Sequence, residues 1–385
     1  MTALGDRLAA RIARLGPITV ADYMAEALTD PEAGYYMTGD PFGVRGDFVT
    51  APEVSQMFGE LIGLWCADTW VRMGRPDPVL LVELGPGRGT LMADALRALR
   101  VATDCRTALR PQLVEISPAL GARQRQTLAA TGVEASWHER LDQVPEGPLL
   151  VIANEFFDAL PIRQFERRPE GWCERLVGLG PGGKGLAFAL GPPLSSLGAQ
   201  AQIPIPAALH AAPAGAVVEV SAPGIAIAGE IGRRLAAHGG AALIVDYGHA
   251  APRTGATLQA VRRHAAHDVL AEPGNADLTA HVDFAALAHA ATEAGARAHG
   301  PSDQGELLEA LGIGARAEAL RGGAAPAQAA AVDAARHRLT DGAEMGTLFK
   351  ALALSHPDLG APAGFGQAPA LKLSAPETVE GRRTC

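Results

Sequence analysis

Residues 79–92, VLLVELGPGRGTLM, decide the fold of this chain. An apolar run ends in an acid, three glycines follow at every second position, and residues with helical spacing come next. This order predicts a strand, a tight turn and a helix. Gly85 permits a turn that a Cβ would hinder, while Gly87 and Gly89 let a ligand approach the main chain at the start of the helix. The loop is therefore predicted to hold a nucleotide-like molecule.

The spacing of these glycines distinguishes between classes of nucleotide site. Dinucleotide-binding folds use G-x-G-x-x-G with a ribose-binding acid about 20 residues later, whereas this chain has G-x-G-x-G and its next strand ends later, at Glu115. No Lys-Ser or Lys-Thr pair follows the glycines, which excludes a P-loop. The spacing, with Glu83 before it, resembles the first motif of class I methyltransferases, which bind S-adenosylmethionine. A purely structural glycine turn is the alternative, and the strand ending in Glu115 weakens it.

Length and composition limit the class of protein. A chain of 385 residues exceeds the usual single domain, so a core with insertions or a second lobe is expected. The net charge of -9 argues against a non-specific nucleic-acid binder. The four cysteines lack C-x-x-C spacing and predict neither a disulfide framework nor a zinc site. No uncharged apolar run reaches the roughly 18 residues of a membrane span.

Residues 1–75 are predicted to form an N-terminal lid of helices and loops. Residues 2–15 have the spacing of an amphipathic helix. Its arginines also suit a mitochondrial transit peptide, but Asp6 and the scarcity of serine argue against one. We therefore expect a cytoplasmic protein if the source is bacterial, and a mitochondrial matrix protein only if it is eukaryotic.

Residues 18–63 are dense in glycine, proline and aromatic residues, which predicts packed loops. Long structured loops are usually functional. The lid residues predicted to contact the substrate or to close the site are Tyr36, Phe48, Thr50 and Glu53. A lid that only plugs the core is the alternative.

The rest of the chain alternates strands and helices. Strands are predicted at 79–84, 112–115, 133–137, 149–153 and 241–248, with helices between them. This order predicts an α/β fold with a mostly parallel, doubly wound sheet. The core is expected over residues 76–355, with a hairpin insertion at about 162–215, a strand at 217–220 that resumes the alternation, a helical insertion at about 300–340, and an irregular tail over 356–385.

Ligands in such sheets bind beyond the carboxyl ends of the strands, which draws attention to NEFFDALP, residues 154–161. Asn154, Glu155 and Asp158 are costly to leave unpartnered at the end of a buried strand. The segment, with Phe156, is predicted to form a methyl-acceptor site, although capping of the next helix is an alternative role. Asp246 and Tyr247 end the fifth strand and are predicted to face the same cleft. The histidines and aspartates of 258–284 are too irregularly spaced to predict a metal site.

These motifs together resemble the MidA family of methyltransferases, whose mitochondrial members are complex I assembly factors and protein arginine methyltransferases. The resemblance runs from about residue 18 to residue 354. It rests on GDFVTAPE (46–53), VELGPGRGTLM (82–92), VEISP (114–118), ANEFFDALP (153–161), DYG (246–248), TLQAVRRH (257–264), ADLTAHVDF (276–284) and MGTLFKALA (345–353).

The resemblance implies a class I, Rossmann-like methyltransferase fold with S-adenosylmethionine as cofactor and an acceptor site near residues 154–161. The residues expected at the cofactor are Glu83, Gly85, Gly87, Gly89, Thr90, Glu115 and Asn154. For the mitochondrial relatives it implies an arginine on a quinone-side core subunit of complex I as the target. The target of this chain and its oligomeric state stay open, and a homodimer is compatible with the sequence.

A mechanism follows as a hypothesis. The glycine loop holds the methionine part of the cofactor, Glu115 accepts hydrogen bonds from both ribose hydroxyls, and residues 137–142 border the adenine. Carboxylates of Glu155 and Asp158 hold an arginine guanidinium by bidentate bonds and leave its near nitrogen free to attack. The alternatives are a non-catalytic assembly chaperone, a small-molecule methyltransferase and an NAD-linked oxidoreductase.

Overall fold

Strands and helices alternate along most of the chain in the computed structural model, which describes residues 2–38, 50–197 and 205–366. The strands are β1 (Ile18–Thr19), β2 (Val79–Leu84), β3 (Leu109–Val114), β4 (Ser136–His138), β5 (Leu149–Asn154), β6 (Arg163–Arg168), β7 (Gly171–Leu179), β8 (Leu186–Pro193), β9 (Val217–Val220), β10 (Gly240–His249), β11 (Gln259–Arg262), β12 (Ala265–His267), β13 (Asp277–Thr279), β14 (Val282–Asp283), β15 (Arg297–Asp303) and β16 (Phe349–Ser355). The helices are α1 (Ala3–Leu15), α2 (Val20–Thr29), α3 (Tyr35–Thr38), α4 (Ala51–Val54), α5 (Gln56–Arg72), α6 (Thr90–Ala98), α7 (Thr103–Ala108), α8 (Pro118–Ala129), α9 (Ala222–His238), α10 (Phe284–Glu293), α11 (Gln304–Ala310), α12 (Ile313–Arg321), α13 (Pro326–Thr340) and α14 (Met345–Leu348).

The central sheet has the order β15-β16-β10-β5-β2-β3-β4. Strands β4, β3, β2, β5 and β10 are parallel to one another. At one edge β16 pairs antiparallel with β10, and β15 pairs antiparallel with β16. This arrangement confirms the predicted mostly parallel, doubly wound sheet. The order of the strands along the chain changes direction between β2 and β5, and ligand sites open at such a switch point.

The continuous apolar run of β2 is explained by burial on both faces, since all six of its residues are buried. Alternate side chains enter different cores: Val79 and Leu81 pack with α5, α6 and the C-terminal helices, whereas Leu80 and Val82 pack with α9 and α10. The glycine loop therefore starts from a strand that is held rigidly between two helical layers.

A second, antiparallel sheet is built largely from the predicted insertion. The hairpin of β6 and β7 forms as expected, with Gln164 opposite Arg175, and β8 pairs with the other edge of β7. The strand at 217–220 does not resume the alternation of the central sheet: as β9 it pairs antiparallel with β6. That prediction is wrong because the local apolar pattern of a strand does not show which sheet it joins.

The N-terminal region is more helical than its composition suggests. The sequence predicts loops after residue 18, but residues 20–29 form α2, which begins with a capping box between Thr19 and Asp22. Strand β1 pairs with β7 of the second sheet. A third apolar core joins α1 and α2 to β7 and β13, so this region is docked on the body.

The helix predicted over residues 2–15 occurs as α1. The helical insertion predicted at about 300–340 is divided into α11, α12 and α13, and Gly312, which adopts a left-handed conformation, separates the first two. Strand β15 has no counterpart in the sequence analysis. Among the described residues, no helix combines the length and the apolar character needed to cross a membrane.

Candidate active site

The glycine loop turns as its sequence requires. Gly85, Gly87 and Gly89 have φ values of +61°, +52° and +79°, in the region that side chains with a Cβ rarely adopt. A Cβ on Gly85 would lie 2.8 Å from Cδ2 of Phe156, so the turn also makes room for that ring. Gly89 is the N-cap of α6, and the loop presents its main chain at the start of this helix.

A cleft with two connected cavities surrounds this loop. Both cavities are lined by Gly85, Gly87 and Glu155. The smaller one, of about 40 Å³, is completed by Thr50, Pro52, Glu53, Glu83, Pro86, Arg88, Thr90, Leu91 and Asn154. The larger one, of about 160 Å³, is completed by Leu28, Thr29, Tyr36, Glu115, Ile116, Leu120, Phe156, Ala159, Leu160 and Pro161. The carboxyl ends of β2, β3 and β5 thus meet in one cleft, as expected at the switch point.

Two buried acceptors line the smaller cavity without partners. Glu83 is 3% exposed, and neither its Oε2 nor Oδ1 of Asn154 has a hydrogen-bond partner among the described residues. Burial raises the pKa of Glu83 to about 8, against the effect of the Met92 amide that bonds to its carboxyl. Such orphaned acceptors fit a ligand with a cationic donor group, because a donor would satisfy both of them.

In the larger cavity, Glu115 is held by donors on both carboxyl oxygens. Its Oε1 accepts from the Ser117 amide at 2.8 Å and its Oε2 accepts from Nε2 of Gln124 at 2.9 Å. Gln124 was not among the residues predicted from the sequence. A polar residue in the buried stripe Leu120, Gln124, Leu128 of α8 is the signal that could have identified it. None of the described lining residues comes from 137–142, the segment expected to border an adenine.

Glu155 lines both cavities of the cleft. It follows β5 with a φ of +51°, which is unusual for a residue other than glycine. Its Oε1 accepts from the Ala51 amide at 2.9 Å and from Nδ2 of Asn154 at 3.0 Å. Burial raises the pKa of Glu155 to about 7, and the negative charge of Asp158 adds to this, whereas the Ala51 amide opposes it.

The second predicted catalytic acid, Asp158, lies behind the loop rather than in the cleft. It is 6% exposed and is not among the described residues that line either cavity. The nearby Tyr247 side chain favours the charged form of this carboxyl and so opposes the effect of burial on its pKa. Burial raises the pKa of Asp158 to about 6. Its negative charge therefore acts on the cleft from a distance.

The prediction that Asp246 faces the cleft is wrong. Its side chain is fully buried, and its Oδ2 accepts from the backbone amides of Phe156, Phe157 and Asp158 at 3.1, 2.9 and 3.2 Å. Asp246 thereby fixes the path of the loop that carries Phe156. Tyr247 is likewise enclosed, with its ring edge-on to His281 and Phe349 at 5.5 and 5.4 Å. Neither residue is among the described residues that line the two cavities.

The N-terminal residues predicted as a lid border the cleft. Glu53 accepts a hydrogen bond from the Thr90 hydroxyl at 2.6 Å, and Thr50 precedes α4 as its N-cap. Tyr36 lines the larger cavity and donates to Oδ1 of Asp277 at 2.8 Å. Phe48 lies outside the described residues. In the part of the chain that the structure describes, no group of three or more His, Cys, Asp or Glu residues is placed to hold a metal ion.

Comparison with known families decides the class of protein. A family model described as "Putative S-adenosyl-L-methionine-dependent methyltransferase" matches residues 61–302. The chain belongs to this family. S-adenosylmethionine is accordingly the cofactor, in agreement with the sequence analysis, and the chain is a methyltransferase rather than a nicotinamide-dependent enzyme.

Individual relatives support this assignment over most of the chain. The Drosophila melanogaster protein named "Protein arginine methyltransferase NDUFAF7 homolog, mitochondrial" is 40% identical over 375 residues, which cover 91% of this chain and 84% of the relative. The Homo sapiens protein arginine methyltransferase NDUFAF7, mitochondrial, is 38% identical and covers 80% of this chain and 73% of its own.

Crystal structures support the fold of this methyltransferase. A Burkholderia thailandensis protein bound to S-adenosyl-homocysteine is 31% identical, covers 95% of both chains and superposes with a TM-score of 0.81. A native crystal structure of a protein from the same organism is 33% identical with a TM-score of 0.80, and covers 95% of this chain and 94% of its own. The class I, Rossmann-like fold is thereby confirmed.

Proposed function

We propose that this methyltransferase methylates a guanidinium nitrogen of an arginine in a protein substrate. The names of the relatives support the substrate class, and one feature of the site supports it independently. At the end of β5, Glu155 borders the cleft, and the carboxyl groups of Glu155, Asp158 and Asp246 lie close enough together that the charge of one raises the pKa of another. Three acids concentrated in this way favour a cationic acceptor.

The residues around the glycine loop suit the cofactor. Its ammonium group would satisfy Oε2 of Glu83 and Oδ1 of Asn154, the two orphaned acceptors of the smaller cavity. The main chain at Gly85 and Gly87 would border its methionine part, and Glu115 would accept from its ribose hydroxyls. The bound cofactor supplies an electrophilic methyl group, and the protein supplies position and charge.

We propose that Glu155 binds the arginine that accepts the methyl group. An arginine side chain has a pKa of about 12.5 or more, so it enters the cleft as a cation whose lone pairs are delocalised. A carboxylate that binds the far nitrogens localises the positive charge there and leaves the near nitrogen more nucleophilic. Because its pKa is about 7, Glu155 can also accept the proton that this nitrogen releases. Asp158 contributes negative charge from behind the loop.

We further propose a quinone-side core subunit of respiratory complex I as the protein substrate, since the family resemblance implies this target for the mitochondrial members. The same reasoning places the enzyme in the compartment where complex I is assembled: the cytoplasm in a bacterium and the mitochondrial matrix in a eukaryote. A chaperone that binds the cofactor without catalysis is the competing function.

Mass spectrometry of complex I tests this function. The complex is purified from cells that carry the wild-type gene, no gene, or a Glu155→Gln variant, and each subunit is searched for methyl-arginine. We expect one modified arginine that is present only with the wild-type gene. A modification that persists without the gene would overturn the proposed substrate. Unmodified complex that nevertheless needs the gene for assembly would support the chaperone instead.

A further inference from the structure

Gln124 belongs to none of the sequence motifs, yet its side chain contacts three separate segments of the chain, two of which line the larger cavity. It is fully buried on α8. Its Nε2 donates to the Gly87 carbonyl at 2.8 Å and to Oε2 of Glu115 at 2.9 Å, while its Oε1 accepts from Nε1 of Trp137 at 2.9 Å. One amide thus joins the glycine loop, the acid after β3 and Trp137 in the middle of β4.

The orientation of this amide is determined by its partners. A carbonyl and a carboxylate can only accept, and an indole N–H can only donate. A flipped amide would place its oxygen against two acceptors and its NH₂ group against a donor. Both N–H groups and the oxygen are therefore used in the only arrangement that satisfies the three partners.

This arrangement controls the state of Glu115. Burial raises the pKa of Glu115, while the Ser117 amide and the Gln124 side chain lower it by bonding to the charged form. With Oε1 and Oε2 each held by one donor, each oxygen keeps lone pairs for a further donor. The carboxylate is thus presented in a fixed position as an acceptor-only group.

We propose that Gln124 is a positioning residue that fixes Glu115 for the two ribose hydroxyls of the cofactor and so makes the cleft selective for ribonucleosides over deoxyribonucleosides. This inference rests on the proposed role of Glu115 and not on the identity of the methyl acceptor. Through the Gly87 carbonyl, the same amide keeps the glycine loop at a constant distance from Glu115. The parts of the site that bind the nucleoside and the methionine of the cofactor are thereby held at a fixed distance from each other.

Calorimetric binding of two probes to the purified full chain tests this role. The probes are S-adenosylhomocysteine and its 2′-deoxy analogue, and the variants are Gln124→Met and Gln126→Met. Gln126 is an exposed residue of the same helix and serves as the matched control. Because a hydrogen bond to a charged group contributes about 1.5–3 kcal/mol, we expect Gln124→Met to weaken S-adenosylhomocysteine binding roughly 10- to 100-fold. The deoxy analogue should lose several-fold less, and Gln126→Met should bind both probes like the wild type.

A second variant, Gln124→Glu, keeps the test decisive if the methionine variant does not fold, as judged by circular dichroism and thermal unfolding. Its added carboxylate faces Glu115, so we expect weak binding at pH 8 that recovers severalfold towards pH 6, where one of the two acids is protonated and can donate. Equal losses for the two probes, or no loss in either variant, would overturn the proposal and leave Gln124 with a purely structural role. Neither outcome depends on whether the methyl acceptor is an arginine.

Discussion

Glu155 combines a strained backbone with an anionic side chain at the edge of β5. A left-handed conformation costs a residue with a Cβ on the order of 1–3 kcal/mol and persists only where its surroundings hold it. Here the backbone N–H of Glu155 donates to the Val245 carbonyl at 2.9 Å, and the Ala51 amide bonds to its side chain. The strand β10 and the start of α4 together hold the carboxylate at the cleft.

Replacing Glu155 by Gln removes its charge and keeps an oxygen for the Ala51 amide. We expect arginine methylation to fall by roughly 10²-fold or more, because the variant lacks the charge that we propose to organise the guanidinium. The affinity for S-adenosylhomocysteine should change less than about 2-fold, since the variant keeps the neutral contacts of the cleft. Methylation is followed by mass spectrometry of the substrate protein and affinity by calorimetry.

The matched control is Glu146→Gln, which removes a carboxylate whose side chain is 65% exposed and which pairs only loosely with Arg233 and His238. This variant should methylate like the wild type. Unchanged turnover in Glu155→Gln would exclude the proposed role of the acid. A large loss of cofactor affinity would show that Glu155 belongs to the cofactor-binding site instead.

Site residues at the ends of buried strands could be predicted from the sequence, because a polar group in that position needs a partner. On this ground Asn154, Glu155 and Asp158 were predicted to lie at the cleft, and the first two line it, whereas Asp158 lies behind the loop. The sequence did not show the direction of each side chain, and so Asp246 was placed in the cleft, whereas the path of the following loop brings three amides onto its Oδ2. Gln124 was missed because its partners are distant in sequence and only the folded chain brings them together.

At the scale of elements, α4 connects the N-terminal region to both walls of the cleft. The Thr90 hydroxyl, on the first turn of α6, donates to Oε1 of Glu53, and Arg88 lies 3.8 Å from Oε2 of the same carboxyl. At the other end of the segment the Ala51 amide bonds to Glu155. The position of α4 is therefore coupled to that of α6 and of the Glu155 side chain.

Thr90→Val removes the donor to Glu53 and preserves the shape of the side chain. A hydrogen bond to a charged group is lost, so we expect the affinity for S-adenosylhomocysteine to fall by roughly 10-fold. Thr127→Val is the matched control, because the Thr127 hydroxyl bonds only to the Arg123 carbonyl of its own helix at an exposed position. Calorimetry of both variants measures the difference. Equal affinities for Thr90→Val and the wild type would contradict a role for this link in holding the cofactor.

Local sequence patterns suffice to predict single helices and strands but not how the strands pair. The parallel strands and the helices around them follow from apolar periodicity, which acts within each element. Pairing between elements is decided by contacts far apart in sequence, and β9 therefore joined the second sheet against expectation. The sequence of β15 contains Gly300 and Pro301 and lacks alternation, but its neighbour β16 supplies the pairing, with a register shift between His299 and Ser302.

At the scale of the whole molecule, the fold buries several carboxyl groups whose pKa values burial raises. The pKa is about 8 for Glu83, about 7 for Glu155, and about 6 for Asp94 and Asp158. Three of these groups belong to the cleft or to the loop beside it. The active site therefore opposes folding at a pH where the acids are charged, and the rest of the molecule must compensate for that cost.

The pH dependence of stability follows from these shifts. Between pH 6.5 and 8 the unfolded chain has already released the protons of Glu83 and Glu155, whereas the folded chain still binds them in part. The unfolded state then binds fewer protons, so stability must fall as the pH rises through this window. We expect the free energy of unfolding to decrease by about 2 kcal/mol, measured by urea unfolding at constant ionic strength. Below pH 6.5 the lowered pKa values of His138, His281 and His299 act in the opposite direction, because their unfolded forms bind protons there.

Glu83→Gln separates this effect from other titrations. The substituted amide is neutral at every pH and keeps an oxygen for the Met92 amide, so the variant should be more stable than the wild type at pH 8 and should lose much of the slope between pH 7 and 8. It should also bind S-adenosylhomocysteine more weakly, because an amide attracts the ammonium group less than a carboxylate does. Stability that is constant or rises from pH 6.5 to 8, or an unchanged slope in the variant, would contradict the assignment. A gain in stability together with a loss of affinity would show that the fold maintains a costly buried acid for the sake of its cofactor.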